Sequence, residues 1–172
     1  PYGVRPLSLG RLERGWVIAS ETCALDIVGA SYVRDIEPGE FVTINASGVH
    51  SRHFAEPRHA RCIFEHVYLA RPDSYLNGHS VNSTRVGIGR RLAKEHPCDG
   101  DLVIPVPESG MPAAVGYAQE SGIPFAQGLT KNSYVGRTFI QPSQTIRQLG
   151  IRLKLNPLRD CLLYTSDAAD DS

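Results

Sequence analysis

Glu108, Ser109 and Gly110 set a carboxylate, a hydroxyl and a glycine between an apolar run, DLVIPV at 101–106, and a helix-patterned stretch. A hydroxyl in that place either caps the helix or reaches a bound phosphate or its metal ion, and the glycine lets a ligand approach the backbone closely. Further along, LTKNSYVGRTFIQP at 129–142 carries two cations, Lys131 and Arg137, with hydroxyls and a glycine and no helix or strand period. It reads either as a mobile lid that closes its charge over a phosphate-rich ligand or as an ordinary solvated loop. His50, His53, His59, Cys62 and His66 crowd one stretch and raise the question of zinc, but their spacing matches no closed finger and no second cysteine is near. Cys23 and Cys62 stand in no nucleophile turn and beside no evident base, so both read as structural thiols. Arg147, Arg152, Lys154 and Arg159 read as a solvated helix face.

To hold residues 108–110 in place, a strand must run in and a helix must run out. Met111, Ala114, Val115 and Ala118 fall at helical spacing, with Ser109 as a candidate N-cap, Pro112 in the first turn and Gly122 with Pro124 as the stop. The run at 101–106, interrupted by Pro105, predicts a strand, and 125–129 predicts another. Strand, helix and strand make a βαβ unit, whose strands lie parallel with a right-handed crossover. Before it, Val81, Ile88 and Leu92, seconded by Val86 and Ala93, predict a helix over 81–95, and alternation over 62–69 predicts a strand ending in a turn at 71–74. The first part of the chain differs. Short runs at 7–9, 16–19, 32–33 and 41–44 predict antiparallel sheet, with a short helix over 21–28 capped by Thr22. Residues 46–61 have little periodicity and read as a connector, which places a domain boundary near 55.

The bulk properties narrow the function classes. The 172 residues, 41% of them hydrophobic, suffice for a buried core. Eighteen basic residues balance eighteen acidic ones, which argues against nucleic acid and anionic membrane as partners. Four dispersed cysteines without a C-x-x-C pair fit a reducing compartment, and no apolar run approaches bilayer length, so the expected location is the cytoplasm. The chain opens on Pro1, has Met111 as its sole methionine and closes on an adapter-like dozen at 161–172, so it reads as an internal piece with a non-native tail.

Five strings in order carry a more specific signal: PYGVRPL at 1–7, ASETCALD at 19–26, FEHVYLARPDS at 64–74, VPES at 106–109 and YVGRTFIQPSQ at 134–144. Together they resemble amidophosphoribosyltransferase over residues 1 to 160. The resemblance implies an α+β N-terminal-nucleophile glutaminase remnant over 1–55 and the first part of an α/β phosphoribosyltransferase with a parallel sheet over 56–160. It implies an enzyme of the glycosyltransferase class that makes 5-phosphoribosylamine from phosphoribosyl pyrophosphate and glutamine, the first step of de novo purine synthesis, and that forms a homo-oligomer.

The same resemblance assigns Glu108, Ser109 and Gly110 to a pyrophosphate loop, with Ser109 toward Mg²⁺, and Lys131, Tyr134, Arg137 and Gln141 to a loop that closes over the substrate. In one branch of the family a cysteine matching Cys62 ligates a [4Fe–4S] cluster. The nucleophilic cysteine of the glutaminase is expected upstream and the acids that hold the ribose downstream, so the piece itself is expected to be inactive. Two alternatives stand beside this: another phosphoribosyltransferase, such as a salvage enzyme, or a non-catalytic regulatory or metal-binding module on the same fold.

Overall fold

A computed structural model of the chain describes residues 1–136 and 142–161. The sites expected at Arg137 and Gln141, and all of the tail expected over 161–172 except Cys161, lie outside the described residues. The chain forms two compact units, Pro1–Arg85 and Val86–Ser172.

In the first unit β1 (Ser8–Leu12) turns back at Gly15 into β2 (Gly15–Ala19), and β3 (Ser31–Asp35) pairs antiparallel along the other edge of β1. The short helix α1 (Thr22–Ile27) packs on this sheet through Leu25, whose side chain is fully buried. Gly10 makes that contact, because a Cβ there would stand 2.9 Å from Leu25 Cδ2. Leu9, Leu25 and Ala30 are all buried, each large aliphatic side chain contributing about 1.5–3 kcal/mol. The expected antiparallel sheet and short helix are present. The cap is not: the helix is preceded by Glu21 with no side-chain cap bond, and the Thr22 hydroxyl instead accepts from Tyr75 N at 2.8 Å.

Two further expectations are corrected. Residues 46–61 are not all connector, because β4 (Glu40–Asn45) and β5 (Gly48–His53) form an antiparallel ribbon across a two-residue turn. Asn45 Oδ1 accepts from Ser47 N at 2.9 Å and Gly48 takes a positive φ of 122°, so the turn is set by side-chain chemistry that apolar periodicity does not report. The stretch expected as a strand over 62–69 is helical from Ile63 rather than extended, closing as a π-turn over Glu65–Leu69. Ile63, Phe64, Val67 and Tyr68 fit helical spacing as well as alternation, and the long-range bonds decide: Arg5 pairs with the buried Glu65, while Arg85 takes the carbonyls of His66 and Ala70. Beyond the turn, β6 (Tyr75–Leu76) and β7 (His79–Ser80) meet at Asn77 and Gly78, both with positive φ, the pair that a type I′ turn requires. Ala70, Leu76 and Val81 close a small core beneath them.

The helix α2 (Val81–Glu95), which has the expected bounds, starts in the first unit and runs into the second. There it meets α3 (Met111–Ser121), also as expected, with Pro112 in its first turn and Gly122 in the left-handed conformation at its end. The two backbones touch: a Cβ on Gly89 would lie 1.9 Å from Ala113 O, and one on Gly116 2.0 Å from Val86 O. The strands expected around α3 contract to one parallel bridge, Val103 to Phe125, with Val103 N donating to Pro124 O and Ala126 N to Val103 O. Among the described residues every assigned sheet is antiparallel, including β8 (Leu129–Lys131) with β9 (Leu155–Pro157), a pairing the local pattern did not announce. The basic stretch after residue 143 is α4 (Gln144–Lys154), capped by Ser143 Oγ, which accepts from Ile146 N at 3.3 Å. The architecture is α+β.

Candidate functional site

In the second unit the parallel bridge sets the course of two departing segments. Chain leaving Val103 passes Ile104 and the buried Pro105 into the loop 106–110, while chain leaving Phe125 passes Gly128 toward Lys131. Gly128 lies directly against the Ile104 side chain, where a Cβ would come within 2.8 Å of Cγ2, so the two segments begin side by side. Loops that leave adjacent parallel strands at their carboxyl ends are where open α/β folds collect ligands.

The loop 106–110 is drawn tight. Gly110 N donates to Val106 O at 3.1 Å and Met111 N to Glu108 O at 3.2 Å, and a Cβ on Gly110 would come 2.7 Å from Val106 O. A side chain there has no room, so glycine is required by the path of the backbone. Gly110, not Ser109, occupies the N-cap position and no side chain caps the helix. The capping alternative for Ser109 is therefore corrected. Its hydroxyl is exposed, and among the described residues neither that hydroxyl nor the N–H groups of Glu108 and Ser109 has a partner. With the start of α3 behind it, the loop offers donors to an anion. Glu108 is exposed beside them.

Lys131 ends β8, and Asn132 N donates to Lys154 O at 2.8 Å. Asn132 Oδ1 then accepts from Tyr134 N at 3.0 Å, forming an Asx turn that presents the Tyr134 ring, 99% exposed, to solvent. Sequence reasoning passed over Asn132 as a turn former and Gly128 as the contact with Ile104. Asn beside Ser was a readable turn signal; nothing local pointed to Gly128.

In the first unit Cys62 is half-buried at the wall of a cavity of about 420 Å³, also lined by Arg5, Arg34, Glu65 and His66. Glu65 is 4% exposed, with one oxygen paired to Arg5; its Oε2 and the His66 Nδ1 are buried with no hydrogen-bond partner among the described residues. No other cysteine lines that cavity. Among the described residues no three His, Cys, Asp or Glu side chains are grouped to hold a metal ion, and the histidines that suggested zinc scatter, with His50 bonded to Ser47 Oγ and His59 facing Glu37. Cys23 is buried, its thiol donating to Glu21 at 3.7 Å. No described helix is long and apolar enough to cross a membrane.

No family model matches the chain. In sequence it is 74% identical over 162 residues to amidophosphoribosyltransferase of Mycobacterium tuberculosis and 58% identical over 167 residues to that of Synechococcus elongatus. Each alignment takes in 94% of this chain but only 31% and 34% of those proteins, so the chain spans about a third of the length of the curated relatives it matches. In structure it superposes on glutamine phosphoribosylpyrophosphate amidotransferase of B. subtilis, complexed with ADP and GMP, with a TM-score of 0.84 at 48% identity, covering 93% of this chain and 35% of that one.

Proposed function

We infer that the chain belongs to the amidophosphoribosyltransferases and forms part of an enzyme that joins ammonia from glutamine to phosphoribosyl pyrophosphate in the first step of purine synthesis. Identity of 74% over nearly the whole chain supports the family, and the chain's share of its relatives makes the reaction a property of the parent. On this reading residues 1–55 close the glutaminase domain, 56–160 open the phosphoribosyltransferase domain as the start of a parallel sheet, and 161–172 are a non-native tail. The parent is a cytoplasmic homo-oligomer.

The observation that carries the site is the loop 106–110, pinched at Gly110, where the Ser109 hydroxyl and the N–H groups of Glu108 and Ser109 have no partner among the described residues. Those donors hold the pyrophosphate of the substrate while the nitrogen of ammonia bonds to the anomeric carbon and the carbon–oxygen bond to pyrophosphate breaks. Charge builds on the leaving oxygens, so donors fixed beforehand act where it appears. On this reading Lys131 and Tyr134, on the segment that leaves β8, cover the substrate and keep water from the anomeric carbon; Arg137 and Gln141, expected to act with them, lie outside the described residues.

For Mg²⁺ this chain offers the Ser109 hydroxyl, a single neutral oxygen, so waters and pyrophosphate oxygens would supply the ion's other ligands. Bound there, the ion would neutralise charge on the departing pyrophosphate. For a [4Fe–4S] cluster the described residues supply Cys62 and no companion thiol in its cavity, so they do not make a cluster site alone. Three further thiolates would have to come from the rest of the parent.

Ammonia-dependent synthesis in the full-length parent tests the loop. Gly110→Ala should raise the KM for phosphoribosyl pyrophosphate by about tenfold or more, since the methyl must displace the loop, and Ser109→Ala by several-fold. Unchanged KM in both would overturn the assignment.

A further inference from the structure

A polar knot in the first unit takes no part in the loop site. Glu21, just ahead of α1, uses Oε2 to accept from Arg71 N at 2.8 Å and from Ser74 Oγ at 2.8 Å. Its neighbour Thr22 accepts from Tyr75 N at 2.8 Å, and both Thr22 and Ser74 are buried. The turn so held is also tied to α2, since Val81 N donates to Ser74 O and Asn82 N to Pro72 O. One turn into that helix, Arg85 is 5% exposed and donates to His66 O at 2.6 Å and Ala70 O at 2.8 Å. Burial lowers its pKa, and the negative charge of Glu21 opposes that shift.

Apolar residues would join α1, the turn and α2 more cheaply. A guanidinium buried against carbonyls carries a desolvation cost that its hydrogen bonds only offset, and polar groups kept in such places fix one geometry out of several. Glu21 is also a poor choice for mere adhesion, because one oxygen atom serves two donors on a single turn. The bonds set where the turn and the first turn of α2 stand relative to α1.

Resting on the domain reading above, α1 belongs to the glutaminase and the turn with α2 to the phosphoribosyltransferase. We propose that Glu21, acting through Arg71, Ser74 and the start of α2, is a positioning residue that couples the two half-reactions, so that ammonia released in one domain is captured in the other. It touches neither substrate. Arg85 holds the opposite side of the same joint by fixing the π-turn against α2.

The test uses the full-length parent with Glu21→Gln, which keeps the shape of the side chain and removes its charge. Three quantities are measured: ammonia-dependent synthesis, glutaminase turnover, and phosphoribosylamine formed per glutamine hydrolysed. The expected result is a capture ratio lowered about five- to tenfold, with ammonia-dependent kcat within about twofold of wild type. Ser74→Ala, which removes one of the donors, should move the ratio the same way by less, and it carries the test if Glu21→Gln does not fold. A ratio equal to wild type in a folded variant overturns the proposal. So does an equal fall in ammonia-dependent kcat, which would mark a purely structural role. If wild-type parent makes no phosphoribosylamine from either nitrogen source, the functional reading itself fails, and that outcome is separate from the other two.

Discussion

Two glycines of α2, two residues apart, should respond to alanine with opposite signs. Gly87 has open space around its Cβ position, whereas a Cβ on Gly89 would meet Ala113 O at 1.9 Å, Ala113 C at 2.7 Å and Ala113 Cα at 2.9 Å. Ordinary contact begins near 3.4 Å, so the methyl falls about 1.5 Å short of room. All three atoms are backbone, and no side chain can swing aside. Replacing glycine by alanine within a helix stabilises by about 0.8–1 kcal/mol through backbone entropy, and that is the whole effect expected at Gly87. At Gly89 the same gain is opposed by overpacking, usually about 1–3 kcal/mol and more where backbone must part from backbone.

The net for Gly89→Ala is a loss of about 1–2 kcal/mol, and Gly116→Ala, facing Val86 O at 2.0 Å, should match it. For a unit of this size about 1 kcal/mol moves Tm by roughly 4–8 °C, so Gly89→Ala should melt about 5–15 °C lower and Gly87→Ala a few degrees higher. Urea unfolding followed by circular dichroism, with calorimetry beside it, measures both. Equal signs for the two α2 variants, or a Gly89→Ala protein as stable as wild type, would refute the close crossing of α2 and α3. Because α3 begins where the loop 106–110 ends, Gly116→Ala should also weaken phosphoribosyl pyrophosphate binding in the parent.

The Arg34 guanidinium, with help from the Ser51 hydroxyl, holds the Glu40 carboxyl at about 2, well below the usual range. A depressed carboxylate stabilises the fold above its unfolded value, and that stability drains away as pH falls from about 4.5 toward 2. With the Arg34 side chain 38% exposed, the full linkage value is reduced to about 1–2 kcal/mol, and Glu40→Gln should flatten the stability profile across that window; an unchanged slope refutes the pairing. Parent purified without oxygen should hold about four irons per chain and lose them on Cys62→Ser, whereas an iron-free, fully active parent leaves Cys62 as packing. Lys131→Ala should raise the KM for phosphoribosyl pyrophosphate about tenfold while leaving stability within about 0.5 kcal/mol, and an unchanged KM would remove Lys131 from the site.

Much was fixed by local chemistry. The bounds of α2 and α3 follow from apolar spacing with proline and glycine at the right ends, and the antiparallel start of the chain follows from short runs broken by turn residues. The five strings that resemble the family are legible because they keep their order, and the loop 106–110 could be marked as a candidate site by its place between an apolar run and a helix. Only the tertiary structure settled the remainder, since the deciding partners are far away in sequence. Residues 62–69 fit either period, and Arg5 and Arg85 select the helical form by pairing with Glu65 and with the carbonyls beyond it. Ser109 could cap α3 by its sequence, but Gly110 takes the N-cap position and no side chain caps the helix. Gly89 and Gly116 look in sequence like weak points of two helices, yet each is the place where the other helix's backbone comes to rest. Periodicity records which face of an element is apolar; it does not record which distant atom will stand against that face.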